Sequence, residues 1–140
     1  MSELLHRIKV FLYRHDAAEP DYLLLKPAQG FDALWGPVQG ALGFGDKIEA
    51  AVQRRVFEDT GLPPQATPLD LGAPARWTVG DEDVFEWCFG YPCVGEPDPR
   101  VLEEHWAAHR WASFPEAYPS LGLEFDRNAI MRLHTMLRAA

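Results

Sequence analysis

Residues 40–62 constrain the fold more than any other stretch: Gly40-Ala41-Leu42-Gly43-Phe44-Gly45-Asp46-Lys47-Ile48-Glu49-Ala50-Ala51-Val52-Gln53-Arg54-Arg55-Val56-Phe57-Glu58-Asp59-Thr60-Gly61-Leu62. A glycine-rich approach gives way to a run with neither Gly nor Pro, in which Ile48, Ala51, Val52 and Val56 recur at helical spacing and face a core. Asp46 is placed to accept from free backbone N–H groups at the helix start, and Gly61 followed by Pro63-Pro64 ends the helix. The pattern is loop, helix, turn. A phosphate-binding P-loop would put Lys and a hydroxyl residue directly after the second glycine; here Asp46 intervenes after Gly45 and Ile48 replaces the hydroxyl. A dinucleotide fingerprint starting at Gly43 and Gly45 lacks its third glycine, because Ile48 stands there.

The flanking segments predict strands. Runs 7–13 and 22–26 are rich in β-formers and are separated by the breaker-rich Arg14-His15-Asp16-Ala17-Ala18-Glu19-Pro20-Asp21, consistent with a hairpin. Runs 75–79 and 84–91 read as strands, the latter alternating apolar and polar, and a short strand is expected at 109–112. A terminal helix is expected with Asp126 as its cap and Ile130, Leu133, His134 and Leu137 on one face. Strands interrupted by a central and a terminal helix imply an α/β arrangement of α+β layers. The 140 residues show no repeat and no low-complexity tract, and the 12 prolines are spread as punctuation, so residues 1–140 read as a single domain.

In register over its whole length, the 40–62 segment resembles the Nudix box, G-x5-E-x7-R-E-U-x-E-E-x-G-U, where U is a bulky aliphatic residue. Gly40, Arg54, Val56, Glu58, Gly61 and Leu62 fit as they stand; Asp46 and Asp59 are one methylene shorter than the expected glutamates; Arg55 reverses the charge of the expected glutamate. The resemblance implies a Nudix fold, a mixed β-sheet packed between helices. It also implies a divalent-metal-dependent hydrolase, with Mg2+ or Mn2+, cleaving a diphosphate bond in a nucleoside triphosphate or other nucleotide-like diphosphate compound. Carboxylates at i, i+3 and i+4 share one helix face and bind hard cations through oxygen, which neutralise a diphosphate and help a water attack it. On that resemblance Glu58, Asp59 and Glu104 are the metal ligands, Glu58, Arg54 and Glu104 the catalytic residues, and Arg55, Trp35 and Gly40 the substrate-binding ones.

Glu104 enters through a second segment. Residues Glu104-His105-Trp106-Ala107-Ala108-His109-Arg110-Trp111 resemble the E-H-x-x-x-x-x-W stretch of the Nudix branch that acts on dihydroneopterin triphosphate and deoxynucleoside triphosphates, whose glutamate is a further metal ligand. The plain alternative is a solvated carboxylate on a loop, since the approach Glu96-Pro97-Asp98-Pro99 reads as irregular. Asp46 and Arg54 hold opposite charges where the family pairs them to brace the loop against the helix; a cap and a solvated arginine would account for them equally. Trp35, Trp87, Trp106 or Phe31 offers a flat face for a base or pterin ring, or simply packs in the core.

Arg55 is the departure with the largest consequence. Exchanging a carboxylate for a guanidinium changes the charge by two units; for a divalent cation ~6 Å away that is roughly 3 kcal/mol with water-like screening and about 11 kcal/mol at an effective dielectric near 20. Even the screened figure weakens a metal site by about two orders of magnitude. Arg55 then either pairs with Glu58 or Asp59 along the helix or meets a phosphate, whose oxygens a guanidinium matches two at a time. The second course suits a hydrolase in which Arg55 touches substrate; the charge reversal itself raises the alternative of a catalytically impaired nucleotide-binding module on the same fold.

Charge and cysteine content narrow the partners. Thirteen Lys and Arg against 21 Asp and Glu give a formal net charge of -8, which disfavours nucleic acid polymers. No run of about 18 apolar residues is present and the N-terminus lacks signal-peptide features, so no membrane is expected and the cytoplasm is the expected location. Homodimerisation is left open. Cys88 and Cys93 supply neither a disulfide framework nor a four-cysteine zinc site and read as reduced thiols. A zinc site from Glu104, His105 and His109 lacks another nitrogen or sulfur ligand nearby, and neither Ser113 nor Ser120 sits in a nucleophile elbow.

Overall fold

The computed structural model describes residues 3–15, 18–27, 34–43, 45–72 and 74–139. Strands β1 (Glu3–Arg14), β2 (Asp21–Pro27), β3 (Val38–Ala41), β4 (Leu69–Asp70), β5 (Ala75–Val79), β6 (Glu82–Pro92) and β7 (Trp106–Ser113) form one sheet. Its order is β4-β6-β1-β2-β7, with β3 added to β1 and β5 to β6. β1 and β6 run parallel in the centre, Glu3↔Glu82 through Tyr13↔Pro92, and the other pairings are antiparallel. Helices α1 (Ile48–Thr60), α2 (Pro99–His105), α3 (Phe114–Ser120) and α4 (Glu124–Ala139) complete the order.

Alternation along the strands divides the core in two, because successive side chains point to opposite faces of a sheet. Ile8, Val10, Leu12, Leu23 and Leu25 pack with Ala51, Val52 and Val56 of α1. Phe11, Tyr13, Tyr22 and Leu24 pack with Ala129, Ile130 and Leu133 of α4. The expected mixed sheet between helices is therefore the observed one.

Several expectations are corrected. The β1–β2 hairpin pairs only at its turn end, Tyr13↔Tyr22 and Arg14↔Asp21; lower down, β3 takes β1 as partner, Arg7↔Ala41 to Val10↔Val38. Asp46 does not cap α1: the N-cap is Lys47, without a side-chain cap. Asp126 does not cap α4 either, because the helix already begins at Glu124 and the Asp126 carboxylate is drawn inward by Lys9, whose Nζ donates to it at 2.7 Å. The stretch before β7 is helix α2 and not a loop; Asp98 accepts from the Arg100 N–H at 2.9 Å, and Pro99 occupies the first turn, where its missing N–H is no loss. Gly61 does end α1, in the left-handed conformation (φ 78°), its N–H donating to the Phe57 carbonyl. Both cysteines are free thiols, and burial pushes Cys88 up to about 12.

Candidate functional site

The loop entering α1 is held by its own charges. The Asp46 carboxylate accepts from the Gly43 N–H at 2.8 Å and from Arg54 Nη2 at 3.2 Å. The Gly43 N–H, then the Arg54 guanidinium, hold its carboxyl below the usual range. Loop and helix are thus braced across the side of α1 that also carries Arg55.

Directly after Arg54, Arg55 has its Nη1 3.5 Å from Glu58 Oε2 and 3.7 Å from Asp59 Oδ1, the i+3 and i+4 neighbours a helix provides. Beneath it is Gly40 of β3, where a Cβ would come within 2.8 Å of Arg55 Nε. The glycine makes room for the guanidinium. Asp59 is buried and Glu58 exposed. Burial pushes the Asp59 carboxyl up, and the Arg55 charge opposes that shift. The C-terminal end of α1 is tied to the neighbouring elements: Trp106 Nε1 donates to the Asp59 carbonyl at 3.0 Å and the Asp98 N–H to the Thr60 carbonyl at 2.8 Å.

Glu104 stands exposed on α2. Among the described residues no three His, Cys, Asp or Glu side chains converge to hold a metal ion. Trp35 packs against the core on the α4 face, with Lys26 Nζ 4.9 Å and Arg110 Cζ 5.1 Å from its ring, away from the Arg55 cluster. Trp87 lies tilted against Phe85, ring centres 5.1 Å apart, and its Nε1 donates to His6, while Trp106 Nε1 is taken up by the Asp59 carbonyl. Phe31 lies outside the described residues. The structure therefore joins Gly40, Arg55, Glu58 and Asp59 in one cluster, ties Trp106 to its end, and leaves Trp35 on the other face of the sheet.

A cavity of about 670 Å³ opens on the other face of the sheet. Leu5, Val84, Trp77, Leu123 and Phe125 wall it, and Arg7, Lys9 and Glu86 form its charged side. Gln39 lines it, while the next residue of β3, Gly40, faces the opposite side of the sheet and underlies Arg55. A second cavity of about 550 Å³ lies along the box loop, with Gly43, Gly45 and Asp46 on one side and Arg7 again on the other. Sequence reasoning missed Lys9, Glu86 and Asp126 here. The available signal was parity: Lys9 interrupts the apolar run of β1, and Glu86 interrupts Phe85 and Trp87, each as a charge in a strand too apolar to lie at the surface.

A sheet between two helical layers with a braced glycine loop running into a charged helix defines the class. The chain belongs to the NUDIX domain family, whose pattern matches residues 5–133. Similar structures include a Listeria monocytogenes protein assigned to the NUDIX hydrolases (TM-score 0.79, 17% identity, covering 96% of this chain and 94% of that one). The Escherichia coli dihydroneopterin triphosphate pyrophosphohydrolase gives 0.71 at 20% identity, over 93% and 94% of the two chains. The NUDIX domain of Shewanella oneidensis NrtR, complexed with ADP ribose, gives 0.70 at 16% identity, over 100% and 91%. At these identities the likeness is one of fold. No curated protein matches the sequence at a significant level.

The family generally uses divalent metal ions. The donor set of α1 does not fit such an ion: of the box carboxylates Glu58 and Asp59 remain, and a guanidinium already lies against both. Among the described helices none is long and apolar enough to cross a membrane.

Proposed function

We propose that this chain is a Nudix-fold binding domain for a small nucleotide-like diphosphate compound, and that Arg55 supplies the positive charge to its phosphates. The observation that carries this reading is the seating of the Arg55 guanidinium over Gly40 and against Glu58 and Asp59. A guanidinium meets phosphate oxygens in pairs and needs no metal to do so. The larger cavity has apolar walls for a ring, and Arg7 lines both it and the cavity along the box loop. Arg55 offsets one of the two acid charges, which lessens the helix's repulsion of a polyanion.

A second reading is the divalent-metal-dependent pyrophosphohydrolase, with Glu58, Asp59 and Glu104 as ligands, Glu58, Arg54 and Glu104 as catalytic residues and Arg55, Trp35 and Gly40 toward substrate. The intact Asp46–Arg54 brace favours it, since that brace holds the loop in the family's working arrangement. One pair of experiments separates the readings. Calorimetric titration with ADP in EDTA is expected to show binding that weakens at least about tenfold in Arg55→Ala, the loss of one charge-assisted contact. Incubation with nucleoside triphosphates and diphosphate conjugates in Mg2+ or Mn2+ is expected to show no turnover for the wild type and turnover emerging in Arg55→Glu. Rapid metal-dependent hydrolysis by the wild type, abolished in Arg55→Glu, overturns the binding reading in favour of the hydrolase.

A further inference from the structure

Glu86 sits mid-strand in β6 with its side chain on the α4 face, 4% exposed. Its Oε1 accepts from Trp77 Nε1 at 2.8 Å. Its Oε2 is buried and has no hydrogen-bond partner. The nearest cations are charge neighbours beyond hydrogen-bond reach, Arg7 Nε at 3.9 Å and Lys9 Nζ at 4.0 Å, and Lys9 already donates to Asp126. Buried carboxylate oxygens almost always accept hydrogen bonds, so an orphan of this kind calls for a donor from elsewhere. Glu86 lines the 670 Å³ cavity, where the indole of Trp77 and the ring of Phe125 stand among aliphatic walls.

Aromatic and aliphatic walls suit a flat ring, and a carboxylate oxygen at its edge suits N–H groups and repels lone pairs. We infer that Glu86 is the specificity-determining acceptor of this cavity, and that the ligand it selects is a planar nitrogen heterocycle presenting N–H donors along one edge. The inference rests on the diphosphate reading only in taking ring and phosphates to belong to one molecule. Arg7 and Lys9 set positive charge beside the carboxylate without consuming its second oxygen, and the Trp77 N–H fixes its orientation.

The test is calorimetric titration of the whole chain with four probes: GDP, whose ring edge carries N–H donors; purine riboside 5′-diphosphate, whose ring carries none; and the two corresponding nucleosides. GDP is expected to bind at least about tenfold more tightly than purine riboside 5′-diphosphate, because a site built to accept from N–H rejects a ring without it. In Glu86→Gln that ratio is expected to fall within about threefold while the purine riboside diphosphate affinity is held. The wild-type ratio decides the matter even if the variant does not fold. Equal affinities for the two diphosphates overturn the role of Glu86 and leave the diphosphate reading standing. Preference for guanosine over purine riboside with no gain from the phosphates supports Glu86 and overturns the diphosphate reading. Absence of binding by all four probes overturns both.

Discussion

At the scale of single residues, the chemistry of α1 turns on one exchange of charge. Asp59 is buried enough for its carboxyl to be pushed above the usual range, and Arg55 pulls it back. A carboxyl raised in the folded state binds its proton more tightly there than in the unfolded chain. Asp59 therefore costs no stability at low pH and becomes a liability as pH rises through its folded value. Removing Arg55 raises that value further. Arg55→Ala is thus expected to lose a few tenths to about 1 kcal/mol at pH 7, an amount limited by solvent screening because the Arg55 side chain is 34% exposed. The loss should shrink near pH 3, where the raised Asp59 carboxyl holds its proton in the folded state. Urea denaturation of both proteins at the two pH values measures it, and a pH-independent difference would show that the pair is not coupled. Arg55 and its departure from the Nudix pattern are fully legible in the sequence; where its head rests is not, since Glu58, Asp59 and a ligand phosphate compete for the same guanidinium.

Among the elements, α1 was the most legible because its boundaries are local chemistry: apolar periodicity inside, and glycine at the one position that must turn left-handed. Gly61→Ala is expected to destabilise by about 1–3 kcal/mol, from the positive φ together with a Cβ that would meet Asp98 Cβ at 2.7 Å. Guanidinium denaturation should show a lower midpoint with an unchanged slope; a shift under 0.5 kcal/mol, the range of an ordinary surface substitution, would contradict it. Less legible were β3 and α2. Only four residues long, β3 exists because β1 offers a partner over Arg7–Val10, and α2 starts at a proline that looks like a breaker until Asp98 is seen capping it. Residue type suggests a cap at Asp46 and at Asp126, yet the Asp46 carboxylate turns back to the Gly43 N–H and Arg54, and that of Asp126 reaches Lys9.

For the whole molecule, the Lys9–Asp126 pair ties the first strand to the last helix across a separation of 117 residues and is shielded from solvent at both ends. Asp126→Asn leaves the ammonium buried without its counter-charge and is expected to cost about 3–5 kcal/mol, whereas Lys9→Met combined with Asp126→Leu should recover most of it. Thermal unfolding of the three proteins checks this; a double variant as unstable as the single one would mean that the pair is not the unit of stability. The amino-acid sequence by itself determined the layer class, the Nudix box with its reversed charge and the helix that carries it, because periodicity, glycine placement and residue spacing act within a few residues of chain. Only the tertiary structure decided that Gly40 lies under Arg55, that Trp35 packs on the other face of the sheet, and that Lys9, Glu86 and Asp126 meet beside a cavity. Those meetings depend on strand register and on which face each side chain takes, and both are settled by pairing partners far away in the chain.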